Sequence, residues 1–144
     1  MADLLLSVKT LLDDGWIASN TATRTPTVSS IFDLKRVDFR MQESQDHIFL
    51  YELSRVPSDN ASGALSKQTV SVVAVDIRTM LSRVQLDLVR VEVRRILNAN
   101  QINPFSDGVF DISDITDDQD FSDKAVKLFR IQIKWRVEQL NVVL

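Results

Sequence analysis

Along residues 127–140 the chain alternates: Phe129, Ile131, Ile133, Trp135 and Val137 stand between Arg130, Gln132, Lys134, Arg136 and Glu138. A period of two sends the first set to one face of a strand and the second to the other. Such a strand buries one side and offers the other, largely cationic, to solvent or to a partner. Near the N-terminus the period changes: Leu5, Val8, Leu11 and Leu12 recur at helical spacing, with Asp3 placed to cap a helix that runs to Asp14 and Gly15 placed to stop it. Residues 16–28, rich in Ser, Thr and Asn and holding Pro26, read as an extended loop. Strands are expected over 31–39 and 47–53, the second with Ile48 and Leu50 opposite His47, Phe49 and Tyr51.

Residues 54–67 hold Pro57, Asp59, Asn60, Ser62, Gly63 and Lys67, the composition of an exposed hairpin loop, and these 14 residues exceed the about two to five of most hairpin loops. The Val-dense stretch 68–79 predicts a central strand with both faces at least partly covered. In residues 82–100 alternation slips phase at Val89, which would throw half of a strand's apolar residues to the wrong side. A helix instead gathers Leu86, Val89, Val93, Ile96 and Leu97 on one stripe, sets Asp87 near Arg90 and Glu92 near Arg95, and takes Ser82 as its N-cap. A turn through Pro104 and Gly108, a short strand over 109–115 and an acidic loop over 117–123 lead to the final strand. This order predicts one α+β domain spanning residues 1–144, a mainly antiparallel sheet of about four to five strands with two principal helices packed on it.

Composition narrows the class. At 144 residues and 44% hydrophobic the chain has material for a core, and a chain of this size buries about 70% of its unfolded surface. Apolar runs such as residues 72–75 are only four long, whereas a spanning helix needs about 20. Residues 1–7 lack the basic flank and apolar length of a secretion signal, so no membrane association is expected. The absence of cysteine excludes disulfides, thiolate metal sites and a Cys nucleophile. A net charge of −3 gives no overall attraction for nucleic acid.

Candidate chemistry is thin. The single histidine, His47, stands beside Asp46, a base with an orienter, yet no nucleophile lies at a known spacing, and a polar residue at a strand end is the expectation. Asp111, Asp114, Asp117, Asp118, Asp120 and Asp123 form the dense acidic cluster. Residues 117–120 are similar to a calcium-binding loop, but the central Gly and terminal Glu of that motif are missing, so a solvated loop and no metal are expected. Three glycines leave no phosphate-cradling or dinucleotide-binding loop, and no cofactor is expected. Arg130, Lys134 and Arg136 lack interleaved aromatics, so a partner-facing surface is preferred to a nucleic-acid one. A small hydrolase using Asp76, His47 and the acidic loop, and a module binding a peptide at a sheet edge, are the readings from other classes.

The order of elements resembles the tail terminator (tail completion) proteins of long-tailed viruses. The likeness is carried by the Leu-rich helix of residues 4–12, the turn Asp14-Gly15-Trp16, the strand from Ile31 to Val37, and the strand pair ending at Val75-Asp76-Ile77-Arg78-Thr79. It continues through the helix with Val93-Arg94-Arg95-Ile96-Leu97, and through Ser122-Asp123-Lys124 into residues 128–133. It spans nearly the whole chain as a layout, without a single diagnostic motif. The resemblance implies a non-enzymatic subunit forming a closed ring, commonly a hexamer, on the head-proximal end of a tail tube. There it stops tube growth and meets the head connector, within the virion and, during assembly, the host cytoplasm. Head–tail joining, neck and tail tube proteins share related folds and are the nearest alternatives. Beside that picture, Arg130, Lys134 and Arg136 are a candidate tube- or connector-facing surface, and the loop with Pro57, Asp59, Asn60 and Lys67 a candidate grip on the neighbouring subunit. Asp111, Asp114, Asp117, Asp118 and Asp120 are a candidate lumen lining past which DNA slides without specific binding.

Overall fold

A computed structural model of the chain describes residues 4–30, 45–58, 66–100, 109–115, 118–123 and 128–142. The helix α1 covers Leu4–Gly15 and buries Leu4, Ser7, Val8 and Leu12, with Leu5 and Leu11 partly buried against the core. The expected cap at Asp3 lies outside the described residues. Gly15 belongs to the helix itself, and its missing side chain lets a second helix approach, since a Cβ there would stand 3.1 Å from Ile96 Cγ2.

The expected loop after Trp16 is more ordered than its composition predicts. It holds a 3-10 helix, Ala18–Thr21, and then a strand β1, Thr27–Ser30. Local side-chain bonding accounts for the difference. The Thr21 hydroxyl accepts from Trp16 Nε1 at 3.1 Å and donates to the Arg24 carbonyl at 2.7 Å. These bonds close the segment around Ala22 and Thr23, which take left-handed backbone at φ 54° and 58°. The strand expected over 31–39 lies outside the described residues.

The sheet is mixed and six-stranded: β1, β2 (His47–Ser58), β3 (Ser66–Thr79), β6 (Phe129–Val142) and β4 (Val109–Asp114) follow in that spatial order, and β5 (Gln119–Asp120) also pairs with β6. The pair β1–β2 is parallel, and every other pairing is antiparallel. The longest ladder joins β3 to β6 from Ser66↔Val142 to Thr79↔Phe129. The second helix, α2, covers Arg83–Ala99 between β3 and β4, with the Ser82 side chain accepting from Gln85 N at its start. Val73, Val75, Ile77, Ile131, Ile133, Trp135 and Val137 from the sheet meet Leu86, Val89, Val93, Ile96 and Leu97 from α2 and Val8 and Leu12 from α1 in one core.

Two expected loops are partly strand. Residues 54–58 and 66–67 extend the β2–β3 hairpin, because the ladder continues past a bulge between Glu52 and Ser54 through Val56↔Val70 to Ser58↔Gln68. Among the described residues no strand pairs β2 beyond Leu50 on its other side, and such an edge tolerates Pro57. The acidic segment also pairs, at Gln119↔Gln132 and Asp120↔Ile131. Gln119 and Asp120 are exposed, and Asp118 and Asp120 are also bound by arginines.

Candidate functional site

Among the described residues three carboxylates are fully buried, and each gathers groups from other elements. Asp46, between residue 45 and the start of β2, accepts from Thr79 Oγ1 and Gln85 Nε2, both at 2.7 Å, and pairs with Arg24 at 2.9 Å. Gln85 also donates to the Thr21 carbonyl at 3.0 Å, which ties the irregular segment after α1 to both α2 and the sheet. Glu92, on the inward side of α2, accepts from the Ile17 backbone N–H at 2.9 Å and from Asn20, and is gripped by Arg95. Arg95 Nη2 also donates to the Gly15 carbonyl at 2.7 Å, closing the C-terminal end of α1. Burial opposes the charge on Glu92, but Arg95, the Ile17 N–H and Asn20 together outweigh it and hold the carboxyl below its ordinary 4.5.

Asp76 lies on the other face of the sheet, in the central strand. Phe49↔Asp76 and Asp76↔Gln132 register places it between two neighbours on the same face. Arg130 reaches it with Nε at 3.0 Å and Nη2 at 2.6 Å, and Arg78 with Nε and Nη2 both at 3.3 Å. The same guanidinium groups lie over aromatic rings, Arg78 above Phe49 at 4.7 Å and Arg130 above Phe121 at 5.1 Å. Gln132 donates to the Tyr51 hydroxyl beside them. Carboxylates bonded in this way are pins for the fold, and their lone pairs are committed.

Of the expected cationic row, Arg130 is therefore bound to Asp76, and Arg136 pairs with Glu138 at 2.8 Å while keeping a half-exposed side chain. Lys134 stands between them on the same face of β6, opposite Ala74. The expected pair of His47 with Asp46 has a different geometry. Asp46 bonds to Thr79, Gln85 and Arg24, and the His47 ring stacks on Phe49, centroids 5.9 Å apart. Burial lowers the His47 pKa from 6.5, with Asp46 raising it and Arg78 lowering it further. Among the described residues no cluster of three or more His, Asp or Glu is arranged to hold a metal ion.

The acidic cluster meets the outer side of α2. Arg94 binds Asp114 at 2.9 Å and also Asp118, Arg90 bridges Asp118 at 3.5 Å and Asp87 at 3.3 Å, and Arg83 binds Asp120. The result is a lattice of alternating charge where the sequence suggests a negative surface. Hydrogen bonds from Ser122 and then Arg83 hold Asp120 at about 2. Asp111 belongs to β4, and Pro57 and Lys67 belong to the hairpin strands β2 and β3; Asp59, Asn60 and Asp117 lie outside the described residues.

The sequence reading missed Asp46, Glu92, Arg24 and Gln85 as anchors, and gave Asp76 only a catalytic alternative. One signal was available. Asp76 is a lone acid inside Val72-Val73-Ala74-Val75-Asp76-Ile77, and an acid in such a strand needs a cation.

No helix is long and apolar enough to cross a membrane among the described residues. Comparison by sequence finds no matching protein family and no matching curated relative. Comparison by structure finds a similar chain in the solved virion of a native gene transfer agent (GTA) particle, with a TM-score of 0.64 and 10% identity over 96% of this chain and 95% of that one. At that identity the two chains share an α+β fold from end to end.

Proposed function

We propose that this chain is a structural protein of a virion that caps the head-proximal end of a viral tail tube, ends its polymerisation and joins the tail to the head connector. The observation that carries the reading is the near-complete mutual coverage with a chain of a virion particle, 96% of one and 95% of the other. The layout resemblance to tail terminators adds the station within the virion. In this reading the subunits close into a ring, expected to be a hexamer, through the β2–β3 hairpin with Pro57, Asp59, Asn60 and Lys67. Arg136, with Lys134 and Arg130 behind it on β6, faces the tube or the connector. The segment with Asp111, Asp114, Asp117, Asp118 and Asp120 lines the lumen. With Arg83, Arg90 and Arg94 set among these acids, that wall would pass DNA because it lacks net attraction, rather than through strong repulsion. The role requires no catalysis and no cofactor.

Tube assembly tests it. Purified tail tube protein polymerises and scatters light; adding this chain should stop growth at a substoichiometric ratio and leave rings at one tube end in negative stain. Long tubes of this chain alone would assign it as a tube protein instead, and unaltered growth with bare tube ends would overturn the capping role.

A further inference from the structure

Residues 17–25 join α1 to β1 along the flank of α2, and polar bonds hold them there rather than apolar burial. Their one large apolar side chain, Ile17, is 47% exposed, and the buried Thr21 is polar. The bonds fall into two sets. The internal set ties the segment to itself. Trp16 Nε1 donates to Thr21 Oγ1 at 3.1 Å, and Thr21 Oγ1 to the Arg24 carbonyl at 2.7 Å. Thr23 N donates to the Ala18 carbonyl at 2.8 Å and Arg24 N to the Thr21 carbonyl at 3.1 Å. The external set pins the segment in place. Glu92 accepts from Ile17 N at 2.9 Å and from Asn20 Nδ2 at 3.2 Å. Gln85 Nε2 donates to the Thr21 carbonyl at 3.0 Å, and Arg24 pairs with Asp46 at 2.9 Å. A segment with polar pins and no apolar anchor belongs to the class that opens locally while the core stays folded.

The backbone pushes the same way. Ala22 sits at φ 54° and ψ 42°, and Thr23 at φ 58°. Two successive residues with side chains thus occupy the left-handed region, and one of them is β-branched, the kind least suited to it. Such backbone persists only where its surroundings impose it. Here the pins impose it, and an opened segment is free to leave it.

We infer that residues 17–25 form a sprung strap, which opens and closes as one unit over the flank of α2 with Glu92, Gln85 and Asp46 as its catch. The internal bonds make its residues move together. Trp16, partly buried against the core, anchors one end, and the buried Pro26 and Val28 anchor the other. Gln85 and Glu92 stand about two turns apart on one side of α2. Opening bares them and Asp46 to water, while Leu86, Val89 and Val93 stay against the sheet. The strap is a property of the single chain and is independent of the ring contact and the capping role.

Native-state hydrogen exchange on the intact chain tests it. The amides of Ile17, Thr23 and Arg24 should exchange together, about a hundredfold faster than those of Val89 and Val93, with little dependence on dilute urea. Asn20→Ala, at an exposed position, removes one pin and should speed the three about fivefold, leaving Val89 and Val93 unmoved. Asn20→Asp sets a second carboxylate against Glu92 and should speed them further. Thr23→Asn places a residue that tolerates left-handed backbone and should slow them about fivefold. Strap amides that share the rate and urea dependence of Val93 overturn the inference. So do Asn20 variants that leave the strap unmoved or speed Val89 and Val93 equally, and a Thr23→Asn strap that exchanges no more slowly than the parent.

Discussion

Asp76 has no exposed surface and carries two arginines, Arg78 and Arg130, whose own side chains are 25% and 29% exposed. Removing the carboxylate leaves two guanidinium groups crowded on an apolar strand face, while their partial exposure lets water recover part of the loss. Asp76→Asn should therefore destabilise by about 2–3 kcal/mol, below the 3–5 kcal/mol of a fully buried broken pair. Urea unfolding checks it, and a loss under about 1 kcal/mol would show that the clamp is a surface ion pair in energy if not in position. His47 and Glu92 both contribute to the response to acid. The folded chain binds a proton at His47 less readily than the unfolded chain does, so stability falls as pH drops below about 6.5. Glu92 stays ionised to lower pH in the fold than out of it. Its contribution is present above about pH 4.5 and is lost as pH falls through the depressed folded value. In a series of urea midpoints against pH, His47→Gln should flatten the upper window and Glu92→Gln the lower one. Unchanged slopes would place the acid response elsewhere.

At the scale of elements, α2 was the most legible part of the chain. Its stripe of Leu86, Val89, Val93, Ile96 and Leu97 and its cap at Ser82 were both readable because a 17-residue helix repeats its period several times. Ser82→Ala should cost about 1 kcal/mol, the usual worth of such a cap, since its Oγ accepts from Gln85 N at 3.0 Å. A thermal shift within error of zero would mean that the Ser82 carbonyl, which accepts from Leu86 N, suffices. The final strand was legible for the same reason as α2. The four-residue β1 and the two-residue β5 were not, because neither is long enough to show a period. The outer ends of β2 and β3 were hidden by turn-forming residues. There the ladder is templated by β6, a pairing that no local pattern reveals. The buried acids were invisible for a related reason: Asp46 and Gln85 are 39 positions apart, and Glu92 and Ile17 are 75. Hydropathy assigns each acid to the surface, and only the folded arrangement supplies its partners.

At the scale of the whole molecule, the sequence supports an α+β layout, and the structure gives it as a six-stranded mixed sheet with α1 and α2 packed over its core. The acidic segment shows how the molecular scale changes a residue-level reading, since Asp114, Asp118 and Asp120 join the arginines of α2 in a lattice of alternating charge. The proposed role depends on how copies of this fold assemble, because a terminator acts by closing where a tube protein continues. The most direct measurement is the mass and shape of the assembly formed with tail tubes, by mass photometry and negative-stain microscopy of the same sample. The account predicts one closed ring, about six subunits, at a single end of each tube, with tube length fixed once it is seated. A protein that stays free of tube ends, or that adds along the tube and lengthens it, would contradict the account.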